Sequence, residues 1–163
     1  MRDTGPRGTP VILFTFLLAA LLQVIPLPEI LDPGRPMWIT MVLVYWVIAL
    51  PHRVGVFWAF GVGLFQDVLT GTVLGQHALS LAVVAWLSLA AHKRLRVFPP
   101  LQQSVVMFMM FGTGAVLSYL VQDTVGRAPV APLWALLPAL VSAVIWRPVF
   151  GFLRVIRQRF GVR

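Results

Sequence analysis

Long apolar runs alternate with small basic clusters along this chain, and few folds can accommodate that alternation. Asp, Glu, Lys and Arg are missing from 8–28, 36–51, 54–66, 68–91, 97–122 and 128–146. The basic residues gather at Arg2 and Arg7, at Arg53, at Lys93, Arg94 and Arg96, and at Arg154, Arg157, Arg159 and Arg163. A helix needs about 20 residues to cross a bilayer. Short basic loops are held on the cytoplasmic side. The clusters therefore mark where the chain lies on that side, and the runs between them are its crossings.

Parity gives the number of crossings. If Arg53 and Lys93 share a side, an even number of crossings separates them, and the interval holds two helices. Thr70-Gly71-Thr72 with Gly75 supplies the break. Two more crossings lie between Arg7 and Arg53, turning at Pro26–Pro36. Another two lie between Arg96 and Arg154, turning near Gly126–Pro132. The expected architecture is an all-α integral membrane protein whose one domain covers 1–163. Its six transmembrane helices fall near 10–27, 36–51, 54–70, 76–91, 101–122 and 133–154, with both termini cytoplasmic. On the outer side only Arg35 and Arg127 are basic, and Arg147 lies within the last helix. Pro51-His52-Arg53 is so short a turn that helices two and three should form a tight antiparallel hairpin. The tryptophans, mostly toward helix ends, are expected to anchor at the interface, Trp146 among them.

Composition supports lipid as the solvent. Hydrophobic residues make up 59% of the chain, charged residues 11%, and mean hydropathy is +0.88. Soluble domains carry about 25% charged residues. The net charge of +8 does not imply nucleic acid, because the basic residues sit in loops and the C-terminal tail and no nucleic-acid motif accompanies them. They read instead as topology and lipid anchors: Arg53, Lys93, Arg94, Arg96, Arg154, Arg157 and Arg159. Without cysteine there is no disulfide or thiol chemistry. Val11–Ile25 follows Arg2 and Arg7 as a signal peptide would, but no small-residue cleavage site follows, so an uncleaved first helix is expected.

Asp67 is the most informative polar residue. Counted from Arg53 at about 1.5 Å per residue, it lies about 21 Å across the membrane, beyond the midplane. A carboxylate there must be paired, neutralised or hydrated. Phe60, Gly63, Leu64 and Gly71 share its helical face. Two readings stay open. Asp67 is a polar socket for a partner or ligand, or it is an internal link between helices, with Arg35 as candidate partner. Gly63, one turn away, permits close approach by another helix, and Gly61, Gly112 and Gly114 are further helix-packing candidates. Arg147 is near enough to the cytoplasmic end to snorkel, and Pro148 should kink its helix. Glu29, Asp32, Asp123 and Arg127 read as solvated loop residues. His52, His77 and His92 are too dispersed for a metal site. No catalytic signature is present, and no enzyme activity, cofactor or metal is expected.

Three segments together resemble the rod-shape-determining MreD family of bacteria. Leu21-Leu22-Gln23-Val24-Ile25-Pro26-Leu27-Pro28 closes helix one. Arg35-Pro36-Met37-Trp38 is followed by Leu43-Val44-Tyr45-Trp46-Val47-Ile48-Ala49-Leu50-Pro51-His52-Arg53. Gly61-Val62-Gly63-Leu64-Phe65-Gln66-Asp67-Val68-Leu69-Thr70-Gly71 precedes Leu74-Gly75. The resemblance covers nearly the whole chain in length and span count, with its specific motifs in the first half. It implies a multi-pass protein of the bacterial inner membrane: a non-enzymatic subunit of the cell-elongation (rod) machinery that binds MreC directly. Through MreC it would act with MreB filaments, RodA and a class B penicillin-binding transpeptidase in lateral peptidoglycan synthesis. It also implies an architecture similar to the six-helix substrate-binding subunits of energy-coupling-factor transporters. That likeness sustains an alternative, a small-molecule binding subunit of a transporter. On either reading the outer mouth, with Arg35, Pro36, Asp67, Gly63, Gly71 and Gly75, is the expected partner or pocket site.

Overall fold

The computed structural model describes residues 8–127 and 131–162. Arg2, Arg7, Arg163 and part of the turn expected after Gly126 lie outside them. Six helices follow one another: α1 (Thr9–Val24), α2 (Trp38–Ala49), α3 (Val56–Thr70), α4 (Gln76–Leu95), α5 (Pro100–Thr124) and α6 (Leu137–Arg159). Short 3-10 turns at Asp32–Gly34 and Pro132–Leu136 precede α2 and α6. The described residues contain no strand.

Prolines set several boundaries. Pro26 and Pro28 lie just beyond the last turn of α1, and Pro36 and Pro51 flank α2. Leu50, before Pro51, has left the helical region at φ −134° and ψ 66°. The first two helices are consequently shorter than expected. By length and composition, Gln76–Leu95, Leu101–Thr124 and Leu133–Arg159 are long and apolar enough to cross a membrane, while α1 and α3 are shorter apolar helices. Helix α6 continues through Pro148 to Arg159.

Helix α2 is the axis of the bundle. Every residue from Ile39 to Ile48 is buried, which suits a segment with no polar face. It packs against α1, α4 and α6, and α5 packs between α4 and α6. Helix α3 lies outside this group. It packs mainly on α4 and touches α1, so the hairpin expected between helices two and three does not form. Helices α1, α4 and α6 already occupy the contacts of α2, and the Leu50–Gly55 turn carries α3 away. The exposed surface of α3 holds Phe57, Phe60, Leu64, Phe65 and Val68.

Two tryptophans also depart from expectation. Trp46 and Trp146 are fully buried core residues, not interfacial anchors. The Trp46 indole N–H donates to Thr15 Oγ1 at 2.8 Å inside the core. Trp146 packs on Phe111 and Phe150. Trp86 and Trp134 are exposed.

Charge sorts to the two ends. At one end, Arg96 Nη2 donates to the Ile48 carbonyl at 2.5 Å, joining the ends of α4 and α2. Gly8 lies there beside Arg53 and Val162. This basic end carries Arg53, Lys93, Arg94, Arg96, Arg154, Arg157 and Arg159. The opposite end carries Glu29, Asp32, Asp67 and Asp123, which are all the carboxylates among the described residues.

Candidate functional site

Helix α4 begins without a polar side chain of its own to cap it; its N-cap is Gly75. The free N–H groups of a first helical turn need acceptors, and Asp67, from the last turn of α3, supplies them. Its Oδ2 accepts from the Gly75 N–H at 2.8 Å and the Ala78 N–H at 3.4 Å. Its Oδ1 accepts from the His77 N–H at 2.8 Å and from the Thr72 hydroxyl at 3.0 Å. The His77 ring nitrogen Nδ1 lies 2.8 Å from the same oxygen, and since a carboxylate only accepts, Nδ1 carries the proton. The side chain is wholly buried. A carboxylate at a helix N-terminus also meets the positive end of the helix dipole. Asp67 is therefore an internal link between helices, made to backbone donors of α4 and to His77.

The turn is shaped to permit this. Gly71 at φ 64° ends α3, and Gly75 at φ 98° starts α4, both in the left-handed region that glycine enters without steric cost. The Gly71 and Thr72 N–H groups donate to the Asp67 carbonyl, so one residue closes α3 with its backbone and opens α4 with its side chain. Ala59, Gly63, Gln66 and Asp67 form the buried stripe of α3. A Cβ at Gly63 would overlap the backbone of His77 and Ala78, within 2.6 Å of the His77 carbonyl oxygen. Gly63 thus does permit a close approach, and the approaching helix is α4.

Arg35 organises the other side of the mouth. It donates to Asp32 Oδ1 through Nε at 3.1 Å and Nη2 at 2.6 Å, and to the Gln23 carbonyl in the last turn of α1. It is not the partner of Asp67. The backbone N–H of Met37 donates to Ser142 Oγ at 2.8 Å, which fastens the entry to α2 onto α6.

Between these two anchored turns opens a cavity of about 800 Å³. Gln23, Gln66 and Gln76 line it, each with a buried side-chain oxygen that has no hydrogen-bond partner. Thr40, His77, Ser118, Tyr119 and Gln122 add polar groups, and Met37 and Trp134 add apolar wall. Gln66 and Gln76 are 5% and 1% exposed. These amide oxygens have no partner within the protein, so they can accept hydrogen bonds from whatever enters the cavity. The arrangement suits binding. The Asp67 carboxylate is saturated with donors, which leaves it a structural role.

The structure thus brings Arg35, Gln66, Gln76 and His77 to one cavity and places Asp67 and Gly63 in the seam beside it. Gly61 faces open space, with nothing within 4 Å of a Cβ built there. Gly112 faces Leu136, and Gly114 faces Val84 and Met37. The Asp67–His77 pair is missed when histidines are counted only as metal ligands. A signal existed: α4 starts Gly75-Gln76 with no Ser, Thr, Asp or Asn at its cap, so an acceptor had to come from elsewhere.

Known proteins resemble this chain in sequence. The family model described as rod shape-determining protein MreD matches residues 7–156. The rod shape-determining protein MreD of Haemophilus influenzae is 32% identical over 149 residues, covering 91% of this chain and 91% of that protein. No solved structure matches.

Proposed function

Because the chain belongs to the MreD family of rod shape-determining membrane proteins, we propose that it is a non-enzymatic assembly subunit of the bacterial cell-elongation complex. It sits in the inner membrane as six spans, with the basic end and both termini in the cytoplasm. It binds MreC directly and, through that scaffold, supports peptidoglycan synthesis by RodA and a class B penicillin-binding transpeptidase along MreB filaments. The observation that carries this reading is the rigid mouth at the carboxylate-bearing end. Arg35 pins the α1–α2 turn and Asp67 pins the α3–α4 turn, which presents a fixed periplasmic surface at low ordering cost. Pro36, Gly71 and Gly75 shape that surface, and Gly63 seats it on α4.

The amide-lined cavity favours a second reading, the capture of a small molecule with several hydrogen-bond donors, as in a transporter's binding subunit. One experiment separates the two. The tagged protein is purified from native membranes in mild detergent, and everything bound is identified by mass spectrometry. The assembly reading expects MreC at stoichiometric yield, with RodA and the transpeptidase at lower yield. Recovery of transporter ATPases and a small molecule lost on Gln76→Leu, with no MreC, would overturn it.

A further inference from the structure

At the basic end a second cavity of about 450 Å³ lies among the ends of α2, α4, α5 and α6. We infer that it is a site for one anionic, phosphate-bearing lipid headgroup. Arg96, Arg154 and Arg157 line it together with Gln103, Tyr45 and Phe150. Arg96 is spent on the Ile48 and Ala49 carbonyls, where it covers the negative end of α2. Arg154 and Arg157 have no side-chain hydrogen bond or ion pair among the described residues. No described carboxylate lies at this end to neutralise them.

Tyr45 is the independent observation. It is 1% exposed, it lines the cavity, and its hydroxyl has no hydrogen-bond partner. Its ring is held edge-on by Trp46 and Phe150, with centroids 5.3 Å away in each case. A buried hydroxyl held without a partner is costly unless something fills the site. Two guanidiniums and a fixed O–H donor are complementary to phosphate oxygens. No described acid lines the cavity to receive an amine, so its described lining favours an anionic headgroup over a zwitterionic one. Apolar helix flanks outside the cavity would receive the acyl chains, as Phe152 and Val155 on α6 are exposed.

The test titrates the purified full chain in detergent with dioctanoyl phosphatidylglycerol, dioctanoyl phosphatidylcholine or glycerol phosphate. Apparent affinity is read by thermal shift, and native mass spectrometry counts retained lipid. The expected result is one phosphatidylglycerol, bound at least about tenfold more tightly than phosphatidylcholine and weakened by salt. R154Q/R157Q should lose that preference, Y45F should weaken binding severalfold, and R127Q, which removes a charge at the opposite end of the bundle, should match the parent. If the double variant does not fold, Y45F carries the test. Glycerol phosphate binding as tightly as the lipid would keep the phosphate site but make its occupant a soluble phosphate compound. Equal affinity for the two lipids, or parental binding by Y45F and the double variant, would overturn the proposal.

Discussion

At the scale of single residues, Asp67 does two jobs within one turn. Its carbonyl ends α3, and its carboxylate supplies the cap that α4 lacks. Each buried donor left without an acceptor costs about 1–3 kcal/mol, so Asp67→Ala should destabilise the protein by about 3 kcal/mol. The exposed Asp123→Ala should change stability by less than about 0.5 kcal/mol. Thermal unfolding of the two variants in the same detergent checks this, and equal melting temperatures would refute the capping role. The comparison also bears on function. A shape defect in an Asp67 variant reports lost structure as readily as a lost contact, so Gln76→Leu is the cleaner probe of the cavity. That Asp67 matters is legible from its depth in an apolar run. What it bonds to is not, since its partners lie five to eleven residues away in and beyond a turn whose geometry two glycines decide.

At the scale of elements, the seam between α3 and α4 is a backbone-close helix contact beside the mouth. Gly63 sits with its Cα against the backbone of α4, and no rotamer change in a neighbour could make room for a methyl group there. Gly63→Ala should force the helices apart at about 1–3 kcal/mol, while Gly61→Ala, two residues away and facing open space, should be neutral or slightly stabilising. Unfolding in increasing dodecyl sulfate distinguishes them; equal midpoints would refute the close seam. The sequence offers both glycines as packing residues. It cannot tell them apart, because the face that meets a neighbour depends on where α3 is carried after Leu50–Gly55. The same limit applies to Trp46 and Trp146, which lie toward helix ends in sequence yet belong to the core.

At the scale of the whole molecule, a single charge asymmetry organises the chain. Basic residues crowd one end and the described carboxylates the other, a cavity opening near each. The proposed orientation puts the basic end in the cytoplasm. The chain has no cysteine, so single cysteines can report it directly. In intact spheroplasts a membrane-impermeant maleimide should label Asp123→Cys and leave Arg159→Cys unlabelled until the membrane is opened. The reverse pattern would invert the topology, and labelling of both from outside would mean that α6 does not cross the membrane.

The sequence by itself determined the helical class, the number of helices and the grouping of charge, because apolar runs, prolines and basic loops act locally or through the bilayer. It also carried the motifs of the family. Only the tertiary structure decided that α2 is the buried axis, that α3 packs on α4 and not on α2, and that Asp67 bonds α4 and not Arg35. Those outcomes depend on which apolar faces meet, and nearly uniform apolar helices leave that choice to shape. Gln66 and Gln76 can be read from the sequence as polar groups near the outer mouth, but that Gln23 of α1 joins them around one cavity is decided only when the bundle closes.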